Sequence, residues 1–118
     1  MGQLYPLAND AQIIIDEESI IIMAAIESRN LSSLCQIGYG DIMGIHTELE
    51  SLVPPQAAEQ FHAAFLEALW DWVGVQLNIA MYCVTGDSQF VGGAAIKADE
   101  WAEDIARAND LLNELVNQ

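Results

Sequence analysis

The fold turns on residues 54–87, PPQAAEQFHAAFLEALWDWVGVQLNIAMYCVTGD. The stretch opens on Pro54-Pro55, closes on Gly86-Asp87 and holds one glycine between them, Gly74. Pro55 suits the first position of a helix, where its missing N–H costs nothing. Gly86 suits the left-handed residue that ends a helix, and Asp87 the cap of the next. A helix of about 30 residues, ~45 Å long at 1.5 Å per residue, would then meet a second of similar length across a very short turn. Such a turn forces an antiparallel hairpin.

On the first of these helices Gln60, Glu67, Asp71, Asn78 and Thr85 share one narrow polar arc. Apolar residues fill most of the remainder, Phe61, Phe65, Leu69, Trp72, Val73 and Ile79 among them. That apolar arc exceeds the ~100° stripe of a simple surface helix, so burial on more than one side is predicted. Trp70 and Trp72 project about 200° apart, so one of them is expected to meet another layer or another subunit. The last helix sets Ala94, Ala98, Ala102 and Ala106 beside Phe90, Trp101, Ile105 and Leu112, a mixture that lets a partner helix come close.

Upstream, Asn9 followed by Gln12 resembles a capped helix start. The runs Ile13-Ile14-Ile15 and Ile20-Ile21-Ile22 point three ways around a helix, which implies burial nearly all round. The rival is a β-hairpin turning at Asp16-Glu17-Glu18-Ser19. The helix is preferred because Met23-Ala24-Ala25-Ile26-Glu27 continues without a turn signal. Leu31, Leu34, Gly38, Ile42, Ile45, Leu49 and Leu52 step at the spacing of a packing seam. A break near Ser28 to Ser33 gives four helices, and its absence gives three with a long first helix. Four are predicted, because an unbroken helix of ~43 residues would overhang its partners by about 20 Å. The expected fold is all-α, an up-and-down antiparallel four-helix bundle forming a single domain over residues 1–118.

The chain carries 18 acidic and 3 basic side chains, a net charge of −15, yet charged residues are only 18% of it. The anomaly is therefore missing lysine and arginine. Arg29, Lys97 and Arg107 cannot neutralise a run of phosphates, which excludes direct nucleic-acid binding, and anionic membrane surfaces fail for the same reason. No apolar run approaches the ~20 residues of a membrane span. The acids are expected on solvent arcs, at Glu27, Glu48, Glu67, Asp71, Glu100 and Glu103, so their effect is mutual repulsion. Screening should raise the melting temperature at pH 7 between about 0.02 M and about 0.5 M salt. A melting temperature that falls over that range would contradict this reading.

Few residues form a chemical motif. Glu59 and His62 have the Glu-x-x-His spacing of di-iron bundles, which need it twice; His46 has Met43, not an acid, three residues before it. The expected role of His62 is a helix-start histidine bonded to a backbone group or carboxylate, and no metal, cofactor or catalytic residue is assigned. His46 with Glu48 and Glu50 is read as a solvated face. Gly38, Gly40 and Gly44 around Tyr39 suit a close helix crossing, a kink or a small-ligand pocket. Gln76 and Asn109 fall among apolar positions and are expected to fix register through hydrogen bonds. Cys35 and Cys83 make no metal motif. If antiparallel helices flank Pro54-Pro55, the two lie ~15 Å apart, too far for a bridge, so two free thiols are expected.

Leu49-Glu50-Ser51-Leu52-Val53-Pro54-Pro55, then His62, Leu66-Glu67-Ala68-Leu69, Gly86-Asp87 and the alanines from Ala95 to Ala106 resemble a helical-bundle domain of unknown function. Such domains are found in bacterial exported proteins and lipoproteins. The resemblance covers residues ~49–118 and implies an extracytoplasmic bundle with no catalytic residues, although neither an export signal nor a lipobox cysteine stands in this sequence. The expected function is a non-enzymatic structural or interaction domain. It would form a homo-oligomer through apolar helix faces, with Ile14, Ile21, Trp70 and Met81 as interface candidates and room for a further protein partner. The alternative is a small-ligand or metal-binding bundle using Glu59, His62 and the segment around Tyr39.

Overall fold

The computed structural model describes residues 4–38 and 40–117. It is an all-α bundle of four helices, α1 (Leu4–Ser28), α2 (Asp41–Ser51), α3 (Glu59–Thr85) and α4 (Gln89–Val116). Short 3₁₀ turns at Leu31–Gln36 and Gln56–Ala58 precede α2 and α3. No described residue lies in a strand, so the hairpin rival for the isoleucine-rich segment is set aside. No helix among the described residues is long and apolar enough to cross a membrane.

The helix α1 is already formed at Leu4, so Asn9 is an interior residue rather than a cap. Leu4 is buried and anchors the first turn, where Pro6 is tolerated. Gln12 bonds forward to Asp16 (2.9 Å) instead of back to a cap. The break expected near Ser28 is present. Arg29 takes the left-handed conformation (φ 57°), and the Asn30 N–H returns to the Ala25 carbonyl (3.1 Å). This is the usual closure of a helix C-terminus, made here without glycine.

The supposed seam from Leu31 to Leu52 is not one helix. Residues 31–36 wind as 3₁₀, Ile37 is extended (ψ 130°), and α2 begins only at Asp41. That change moves Cys35. The ~15 Å gap assumed 1.5 Å of rise per residue, whereas extended residues advance up to ~3.3 Å and 3₁₀ residues about 2 Å. The longer path carries Cys35 to the far end of α3, where it is disulfide-bonded to Cys83 with a Cα–Cα distance of 5.8 Å. The expectation of two free thiols is corrected accordingly.

The core runs along α3. Ile15 of α1, Ile42 and Leu49 of α2, and Leu69, Val73 and Val75 of α3 are its largest fully buried apolar side chains. Burying each contributes roughly 1.5–3 kcal/mol. Trp72 meets Trp101 of α4 edge to face, 5.6 Å between ring centroids. Gly86 ends α3 with φ 72°, a conformation that glycine adopts without a Cβ clash, and Asp87 accepts from the Gln89 N–H (3.0 Å). Gly93 allows close approach of another kind. A Cβ there would strike the Asn78 amide, which is itself held on the Gly74 carbonyl (2.8 Å).

The polar arc of α3 is not wholly a solvent face. Glu67 stands 3.7 Å from Arg107, Asp71 meets Asp104, Gly74 lies under the Lys97 stem, and Asn78 covers Gly93. These pairs descend α3 as they ascend α4, so the arc forms one margin of the hairpin interface.

Candidate functional site

A polar joint of three helices centres on Glu18. Glu18 lies on the buried seam of α1 with Ala11, Ile15 and Ala25 and is 5% exposed. Its carboxylate accepts from Trp72 Nε1 (2.8 Å) and from Gln76 Nε2 (2.8 Å to Oε1, 3.1 Å to Oε2), one turn apart on α3. Gln76 Nε2 also donates to Asp41 Oδ1 (2.9 Å), which accepts in addition from the Ile42 N–H at the start of α2 (2.8 Å). One amide therefore ties α1, α2 and α3. Burial pushes the Glu18 carboxyl above its ordinary value; the Trp72 and Gln76 bonds oppose this, while the charges of Asp41 and Glu17 add to it. With its partners committed to one another, the joint registers three helices. The role expected for Gln76 is thus visible, whereas Asn109 lies exposed on α4.

His62 is buried, and its Nε2–H donates to the Leu49 carbonyl (2.6 Å). The bond fastens the last turn of α2 to the first turn of α3 and engages one of the two ring nitrogens. Glu59 is exposed at the start of α3. Among the described residues no three His, Cys, Asp or Glu side chains are placed to hold a metal ion. His46 packs its ring against Trp70 (5.3 Å between centroids), while Glu48 and Glu50 face solvent. Gly38 lies between the 3₁₀ turn and α2, Gly40 precedes α2, and Gly44 is exposed on it. Tyr39 lies outside the described residues.

Large apolar side chains remain on the surface. Trp70 (56% exposed), Leu77, Met81 (44%) and Val84 (82%) recur at spacings of one or two turns and form a stripe along one side of α3. On α1, Ile13, Ile20, Met23 and Ile26 are exposed, so that helix is not buried all round. Ile14 and Ile21, the interface candidates on that helix, are half-buried, and Ile14 packs against the core. Two of the four candidates, Trp70 and Met81, therefore share an open stripe. An apolar groove of about 260 Å³ separates the second half of α1 from the start of α4, floored by Val75, Ile79 and Ala94 and walled by Ile22, Met23 and Ala98. A wider cleft of about 500 Å³ lies at the other end, between Tyr5 and Asn9 of α1, Phe61 and Phe65 of α3, and Leu112 of α4.

The sequence reading missed Glu18, Asp41 and the burial of Asp71. For Glu18 the signal is its place on the seam, three residues after Ile15 and seven before Ala25. For Asp71 it is hairpin register, which sets residue 71 opposite the neighbourhood of residue 104 across the Gly86-Asp87 turn. Compared with known proteins, the chain matches no family model, no curated protein and no solved structure.

Proposed function

We propose that this chain is a non-enzymatic interaction domain of an oxidising, extracytoplasmic compartment that associates with a second copy of itself through exposed helix faces. The observation that carries the reading is the α3 stripe of Trp70, Leu77, Met81 and Val84. Exposed apolar patches of this kind mark interaction surfaces, and tryptophan is a frequent interface anchor. The non-enzymatic reading is supported by four buried side chains with polar atoms, Glu18, Trp72, Gln76 and His62, which bond to other parts of the chain and hold helices together. The Cys35–Cys83 bond supports the compartment, since such bonds persist where thiols are not kept reduced.

Sedimentation velocity at physiological salt tests the reading. The wild-type chain should show concentration-dependent dimer at tens of micromolar, strengthened by added salt as the repulsion between two chains of charge −15 is screened. Trp70→Asp should abolish the dimer while leaving the melting temperature within a few degrees, because the ring is largely exposed. A wild-type chain that stays monomeric at ~100 µM overturns the proposal.

A further inference from the structure

We propose that the α3–α4 hairpin carries a proton-operated clamp: one proton held between the carboxyl groups of Asp71 and Asp104 joins the two helices, and its loss sets two negative charges against each other inside their interface. Asp71 is 8% exposed, and its Oδ2 is buried without a hydrogen-bond partner. The side chain it meets from α4 is another carboxyl, that of Asp104. Two ionised carboxylates are acceptors only, so the contact becomes a hydrogen bond only when one of them is protonated.

The surrounding charges leave that role to a proton. From α4, Glu100 adds a third negative charge, and Lys97 Nζ is bonded to Glu100 (3.0 Å). Arg107 lies one turn beyond Asp104 and stands by Glu67 of α3. From α2, His46 lies against the neighbouring Trp70, and α1 directs its buried acid, Glu18, to Trp72 and Gln76. Neither nearby cation is held against the Asp71 carboxyl.

The electrostatics of the site act in the same direction. Burial first, then the bond and charge of Asp104 and the charge of Glu100, raise the Asp71 carboxyl to about 7 from its ordinary 3.8, with Lys97 opposing. The folded value lies above the unfolded one. The stability it confers is thus complete below 3.8 and is lost as pH rises from there through about 7. The hairpin is tightest in mild acid and loosens across neutrality.

Thermal melts and amide hydrogen exchange at pH ~5.5 and ~8.5, at constant ionic strength, provide the test. The wild-type melting temperature should fall by roughly 5–10 °C over that interval, with exchange in the middle of α4 at least ~10-fold faster. Asp71→Asn, whose amide donates to ionised Asp104 at either pH, should lose most of that fall. Glu67→Gln, which removes an exposed acid, should keep it. Should Asp71→Asn fail to fold, Asp104→Asn and the wild-type ¹³C-carboxyl shifts serve instead, with one of the pair titrating between about pH 6 and pH 8. Equal pH slopes in wild type and Asp71→Asn, or titration of both carboxyls below about pH 5, would overturn the clamp.

Discussion

Reduction of the Cys35–Cys83 bond is expected to lower the stability of the fold by about 4 kcal/mol, because the bond closes a 48-residue separation in the unfolded chain. For a domain of this size that corresponds to a melting temperature lower by roughly 10–20 °C. The bond joins the 3₁₀ turn after α1 to the last turn of α3, so it fastens α1 and the whole break onto the hairpin. Both cysteines are exposed, so a reductant should reach the bond without prior unfolding. Differential scanning calorimetry with and without reductant measures the effect. Cys35→Ser, Cys83→Ser and the double variant should all reproduce the reduced value, because each removes the same cross-link. Two titratable thiols in protein purified under air, with a melting point indifferent to reductant, would show that the bond does not form.

How much of this was legible in the sequence depends on which signal each element used. The α3–α4 hairpin announces itself because Pro54-Pro55 and Gly86-Asp87 enclose a long breaker-poor stretch; the end of α3 and the turn fall where expected, whereas Pro55 is extended and α3 starts at Glu59 after a 3₁₀ turn. The break after α1 lacked a glycine. Arg29 takes the left-handed position instead, and nothing in its chemistry advertises that. The bridge was unreadable for a related reason, since Cys35 sits in a 3₁₀ turn followed by an extended Ile37 while the apolar residues there keep helical spacing. The burial of Asp71 is hidden because an amphipathic arc states which residues are polar but not which neighbour covers them. Register across the hairpin, which sets Asp71 against Asp104, carries that information only after the topology is known. His62 was different: a histidine on an apolar arc needs a buried partner, and the carbonyl of Leu49 supplies it.

Gln76→Leu is expected to cost about 3 kcal/mol at pH 7. The substitution nearly conserves volume, so the loss is not that of a cavity. It removes the amide that serves Glu18 and Asp41 together, leaving the Glu18 carboxylate with Trp72 Nε1 and Asp41 with the Ile42 N–H. Burial already holds the Glu18 carboxyl above 4.5, and a bond that opposes this shift disappears. The folded value therefore rises further above the unfolded one. For such a group stability is retained below the unfolded value and is lost as pH climbs through the folded value. The deficit of Gln76→Leu relative to wild type should accordingly shrink to ~1 kcal/mol near pH 4, where protonated Glu18 has no charge to stabilise. Urea unfolding at the two pH values measures both figures. Combining Gln76→Leu with Glu18→Leu and Trp72→Phe should recover much of the loss at pH 7, because an apolar joint of similar volume leaves no buried carboxylate short of donors. Equal losses at pH 4 and pH 7, or strict additivity of the three substitutions, would mean that Gln76 contributes packing alone.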